Sequence, residues 1–382
     1  NVSQGDSGNA AQAILNLTNL NTFIATNGGI TVGVYNTPNP AIARQKGFLY
    51  LAKTNLINLI GNTSRGIGNE GQIEIGENLG NGSNVQVPMY LGIVNTLYVN
   101  SITVGGDKQG SGALLAFNPV FVSSSPTAYF RGTNGSASRV ATWRVADNSN
   151  QTTTGSGTAG TVDFTGGTLD AMVDTMIIGL GEAGASSGTG NGVGTFTFNA
   201  GTNNVNTLYL GYRVATGGNS APNGTMNVNG SATLIANNAV CLSFYAGGSG
   251  AVYGAGNLNI NGGTVLAATI TNGLATDSSF DPNAATFPVN LSMTGGMLGI
   301  TTLQGVVGTP RAPLNSFSIN GSTLQLKVSG IQTNIETYTL NVNGSTNTVN
   351  ITYLPPINSY PATFPLIGFQ SLGGSMNIGL SN

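Results

Sequence analysis

Apolar and polar residues alternate over short runs in this chain, and the runs recur. From residue 128 onward the recurring unit reads apolar, polar, apolar, polar, Gly, with Ala once in the Gly place. The apolar pairs are Ala128/Phe130, Val162/Phe164, Phe196/Phe198, Met226/Val228, Leu258/Ile260, Leu291/Met293, Phe317/Ile319 and Leu340/Val342. Two residues after each pair comes the marker: Gly132, Gly166, Ala200, Gly230, Gly262, Gly295, Gly321 and Gly344. A period of two sends one side chain inward and the next to solvent, which predicts a short strand with a corner at the Gly behind it. The marker intervals are 34, 34, 30, 32, 33, 26 and 23 residues. A constant unit at variable spacing describes a coil that carries loops of different size.

A second strand follows in several coils. Residues 94–99, 173–178 and 205–210 are near copies of one another, and Gly179 and Gly211 close the latter two. Before residue 128 the same vocabulary appears in Leu15-Asn16-Leu17, Ile30-Thr31-Val32-Gly33, Phe48-Leu49-Tyr50-Leu51, Ile73-Glu74-Ile75-Gly76 and Ile102-Thr103-Val104-Gly105. The expected organisation is irregular coils over 1–127, regular coils over 128–350, and a C-terminal strand segment over 351–382. Pro355, Pro356, Pro361 and Pro365 mark that last change.

The fold these patterns predict is all-β, a right-handed parallel β-helix with coils of about 23–35 residues including loops. Twelve to fifteen coils at about 4.8 Å each would make a rod of roughly 60–70 Å. An array of antiparallel sandwiches is the competing architecture, and it calls for frequent hairpin turns. Asn-Gly pairs are common, but those at 229, 261, 320 and 343 fall on the corner marker itself. Asn199, Asn229, Asn261, Asn320 and Asn343 share the slot before the corner, where stacked amides can bond from coil to coil or simply favour the turn.

Composition sharpens this picture. Only 6% of the 382 residues are Lys, Arg, Asp or Glu, against about 25% in ordinary globular proteins, while 40% are hydrophobic and 58 are Gly. Solubility therefore rests on Asn, Thr, Ser and Gly. Eleven scattered basic residues and a net charge of −2 give no stripe for phosphates, so nucleic acid is not an expected partner. No apolar run reaches the roughly 18 residues of a membrane-spanning helix. The opening Asn1-Val2-Ser3 reads as the start of a processed or partial export product. Cys241, the single cysteine, lies in the apolar run Val240-Cys241-Leu242 and reads as a small packed hydrophobe rather than a reactive thiol.

Ala116-Phe117-Asn118-Pro119, Ala128-Tyr129-Phe130-Arg131-Gly132 and the run from Thr161 to Thr168 give most of the chain a resemblance to exported bacterial β-helical proteins with autotransporter-type passenger repeats. The resemblance implies coil architecture and export, and it carries no catalytic residues.

Chemistry is sparse. His is absent, which removes imidazole acid–base work and His-ligated metals. Asp163, Asp170 and Asp174 are one of the densest acidic sets, a weak Ca²⁺ site at most and more simply solvated acids on the wall. Glu70, Glu74 and Glu77, with Arg65 nearby, read as a solvated loop and edge. Gly184-Ala185-Ser186-Ser187-Gly188 matches a nucleophile elbow but has no His to complete a triad. Twelve Asn-x-Ser/Thr sequons, Asn16, Asn62, Asn134, Asn223 and Asn350 among them, follow from composition. No catalytic, cofactor or metal residue is assigned.

The expected function is an extracellular or cell-surface structural solenoid that assembles head to tail into filaments. A solenoid ends in unpaired strand edges, and Ala13-Ile14-Leu15-Asn16-Leu17 and Met376-Asn377-Ile378-Gly379-Leu380 put apolar strands near both ends. The alternative is a monomeric, autotransporter-like adhesin that binds glycans through Tyr98, Tyr129, Tyr209 and Tyr212 on one wall. A polysaccharide lyase or hydrolase is the second alternative.

Overall fold

The computed structural model describes residues 2, 13–34, 46–60, 71–83, 85–109, 111–149, 157–181, 191–213, 221–245, 253–276, 280–281, 283, 287–330 and 332–381. Within them every strand-to-strand ladder is parallel, as in a β-solenoid and unlike a sandwich. Parallel neighbours come from successive turns of the chain, so each pairing is one coil lying on the next.

The strands form three faces. The first runs from Ala13–Asn16 through Gly47–Tyr50, Val87–Leu91, Ala113–Phe117, Thr158–Phe164, 192–198, 223–229, Ala255–Asn261, Val289–Thr294, Leu314–Asn320 and Ile335–Asn343 to Ile367–Gly374. These twelve strands define twelve coils. The second face begins at Thr22–Asn27 and ends at Ile378–Ser381. A third begins at Gly29–Val32 and is continuous to Ile270–Asn272. Beyond that it narrows to single bridges, Ile270 to Val307 and Val307 to Ile335. This loss explains the short late intervals: Asn290 faces Ser316, and Leu314 faces Thr337, only 26 and 23 residues on.

Inward side chains stack in rows. Leu15, Leu49, Met89, Leu115, Val162, Phe196, Met226, Leu258, Leu291, Phe317, Leu340 and Leu372 form one row, each residue opposite the next in the pairing register. All but the two end members are buried. Burial of a continuous apolar tube is the main term holding the coils together. Its middle is aromatic: Trp143 lies 4.8 Å from Phe130 and 5.5 Å from Phe196, centroid to centroid.

The recurring unit aligns with these rows from Val162/Phe164 onward, but its first member does not. Ala128/Phe130 belongs to the second face, where Thr127 pairs with Thr168, and the residue under Val162 is Leu115, 47 positions back. The near copies divide likewise: Val173 and Val205 pair on the third face, whereas Val94 pairs with Thr54 and Thr127 on the second. The same local alternation serves any face, so sequence likeness alone does not fix which one.

Where the third face turns back toward the first, the chain takes a left-handed residue in seven successive coils: Gly33, Gly76, Gly105, Ala146, Gly179, Gly211 and Ser243. The corner is also sterically tight. A Cβ at Gly105 would meet the Ala159 carbonyl oxygen at 2.3 Å, and one at Gly160 on the facing strand would meet the Val104 carbonyl oxygen at 1.9 Å. At this corner, between Gly105 and Gly160, glycine is thus required on both sides.

Candidate functional site

The outer walls carry amide ladders. Asn229 donates to Asn199 at 3.1 Å and Asn261 to Asn229 at 3.0 Å, in the slot before the first corner. Thr294 interrupts that slot before Asn320 and Asn343. A second ladder runs Asn257 to Asn223, Asn290 to Asn257 and Asn315 to Asn290. These bonds join coils and leave a neutral surface.

The acids expected on the wall are apart and partnered. Asp163 accepts the Thr165 backbone N–H at 2.9 Å, Asp170 pairs with Arg131 at 2.8 Å, and Asp174 accepts the Asn206 amide at 2.6 Å. The four tyrosines do not share a wall. Tyr98 and Tyr129 meet edge to face on the second face at 6.4 Å, while Tyr209 and Tyr212 pack with Phe244 on the third. Cys241 is buried among them, and burial pushes its thiol up to about 11, so it packs as a hydrophobe. Glu70, Arg65, Asn62 and the 184–188 motif lie outside the described residues.

Glu74 and Glu77 are buried, which corrects the reading of them as solvated. The third-face register brings their strand beside those of Asp107, Arg144 and Asp147: Glu74 pairs with Thr103 and Thr103 with Arg144, and Glu77 pairs with Gly106 and Gly106 with Asp147. Glu74, Glu77 and Asp107 stand close enough for their charges to interact. Burial first, then the neighbouring carboxylates, raises Glu74 to about 7 and Glu77 to about 8. Arg144 is bonded to Asp147 at 2.9 Å, and Asp147 also accepts the Ser149 backbone N–H. Both carboxyls thus keep their protons to a higher pH than an exposed glutamate does. Among the described residues no group of three or more His, Cys, Asp or Glu is arranged to hold a metal ion.

Asp107, Arg144 and Asp147 escaped the sequence reading, yet a signal exists. Each acid follows a third-face corner by one or two residues: Gly76-Glu77, Gly105-Gly106-Asp107 and Ala146-Asp147. Ala in the third corner hides the alignment.

The two ends differ from the walls. Among the described residues the Ala13–Asn16 and Thr22–Asn27 strands pair on one side only, as do Ile367–Gly374 and Ile378–Ser381. Apolar side chains stand exposed on both sets: Ile14, Leu15 and Ile24 at one end, Phe369, Leu372 and Leu380 at the other, with Ile24 68% and Leu380 72% accessible. None of the four strands contains a charged residue or a proline. Natural edge strands are usually blunted by such residues. Among the described residues no helix is long and apolar enough to cross a membrane.

No protein-family model, curated protein or solved structure matches this chain.

Proposed function

We propose that this chain is a structural, non-catalytic β-solenoid of the bacterial cell surface or exterior that assembles head to tail into filaments. The observation that carries the reading is the pair of unblunted, apolar parallel edges that the described residues present. Each edge presents N–H and C=O groups of the polarity the other requires, and a contact between unlike ends does not close, so it propagates. The walls support a passive role: their polar groups are spent on amide ladders between coils. The resemblance to exported autotransporter-type repeats supports the location.

Sedimentation velocity at about 10 μM, a concentration at which a contact of roughly −8 kcal/mol is well populated, tests the reading. Polydisperse species far larger than the monomer are expected. A single monomer peak across a hundredfold dilution series would overturn it.

A further inference from the structure

Four Asn-Gly pairs occupy the same place in successive coils of the fold. Asn229-Gly230, Asn261-Gly262, Asn320-Gly321 and Asn343-Gly344 each stand where a first-face strand turns its corner, with the glycine left-handed at φ of 56°, 82°, 60° and 76°. Asn-Gly is the dipeptide most open to spontaneous deamidation, because glycine has no side chain to keep its backbone nitrogen from the asparagine amide carbon. The dipeptide is identical at all four corners, so local sequence ranks them equally. Their hydrogen bonds separate them.

The first two pairs are held. The Asn229 amide donates to Asn199 at 3.1 Å and accepts from Asn261 at 3.0 Å, which fixes both side chains in the ladder. The Gly262 N–H donates to the Thr294 carbonyl at 2.8 Å, and this occupies the nitrogen that would attack Asn261. The last two pairs are open. Thr294 stands where the ladder would continue, and among the described residues neither the Asn320 nor the Asn343 side chain makes a hydrogen bond. The Gly321 and Gly344 N–H groups make none there either. One coil earlier, Gly295 donates to the Asn320 carbonyl at 2.9 Å; the equivalent acceptor for Gly321, the Asn343 carbonyl, is taken by the Asn347 amide at 2.7 Å. Asn261, Asn320 and Asn343 are all exposed, so solvent access alone would treat them alike.

We propose that Asn320 and Asn343 are modification sites at which the folded chain deamidates by itself. The Gly321 or Gly344 backbone nitrogen attacks the side-chain Cγ of the asparagine before it. A C–N bond forms, the Cγ–Nδ2 bond breaks, and ammonia leaves with the proton given up by the glycine nitrogen. Water then opens the cyclic imide at either carbonyl, leaving aspartate or isoaspartate. Water is the only co-reactant, and nothing is oxidised or reduced. Asn320 pairs with Asn343, so conversion of both sets two carboxylates one coil apart, at about 4.8 Å, where like charges repel. The same conversion doubles the chain's net charge of −2.

Peptide mass spectrometry on the intact folded chain, incubated in mild base to help the glycine nitrogen lose its proton, reads the four corners side by side. Conversion at Asn320 and Asn343 should run several-fold ahead of Asn229 and Asn261, and the four rates should converge in concentrated urea. Equal rates in the folded chain, a lead for Asn229 or Asn261, or a lead for Asn320 and Asn343 that survives unfolding would each overturn the proposal. The double variant Asn320→Asp, Asn343→Asp tests the consequence. Its thermal midpoint should lie close to the parent's at about pH 3, where most aspartates are protonated, and well below it by about pH 7, where both are charged. A gap that does not widen with pH contradicts the stacked charge.

Discussion

At the scale of single residues the coil is exacting at its corner and lenient elsewhere. Ala146 and Ser243 stand where the other coils have Gly, with φ of 61° and 58°. A left-handed alanine costs about 1–2 kcal/mol, so Ala146→Gly should raise unfolding free energy by about 1 kcal/mol in urea titration, while Gly105→Ala should lower it by more, since strain and the Ala159 carbonyl act together. Asn203 is one of the polar residues inside the tube, and unlike Asn55 and Asn95 it is not fully hydrogen-bonded there. It stacks between Ala171 and Leu234, fully buried, with its carbonyl oxygen unpartnered and its amide directed at the Met176 sulfur at 3.7 Å. Burying an unmatched amide costs about 1–3 kcal/mol, so Asn203→Leu should stabilise the chain by that order, measured the same way. The apolar rows around it were legible as alternation. Asn203 was not, because a polar residue in an alternating run reads as outward.

At the scale of strands, alternation disclosed that strands exist and where many of them turn, but not which face each occupies. Ala128/Phe130 took a place in the repeat by spacing alone, and only the register moves it to the second face. The acidic cluster had the same fate: Glu74 and Glu77 were visible, but their partners lie about thirty and seventy residues away, and nothing local announces that neighbouring coils will bury them together. The cluster has a consequence for stability with a definite sign. Both carboxyls hold protons in the fold up to about pH 7 and 8, whereas in the unfolded chain they release them near 4.5. The folded state therefore binds more protons across that window, and stability falls as pH rises from about 4.5 to 8, by roughly a few kcal/mol, then levels off. Trp143, buried beside Arg144, reports the transition by fluorescence. Glu77→Gln should flatten the slope and make the variant the more stable protein at pH 8–9; an unchanged slope would remove the cluster as its cause.

At the scale of the whole molecule, twelve coils were within the count expected from the repeat, and the fading of the third face accounts for the shortening intervals that the sequence displayed without explanation. The rod is weakly charged along its length and uncharged on its end strands, so association should be governed by apolar burial and backbone pairing. Raising ionic strength from about 0.02 to 0.5 M, which shortens the screening length from roughly 20 Å to a few ångström, should leave the sedimentation profile nearly unchanged. Electron microscopy of the purified chain addresses the central claim most directly. Twelve coils at about 4.8 Å predict unbranched filaments with an axial repeat near 58 Å. Separate rods of that length, unjoined at every concentration, would contradict it.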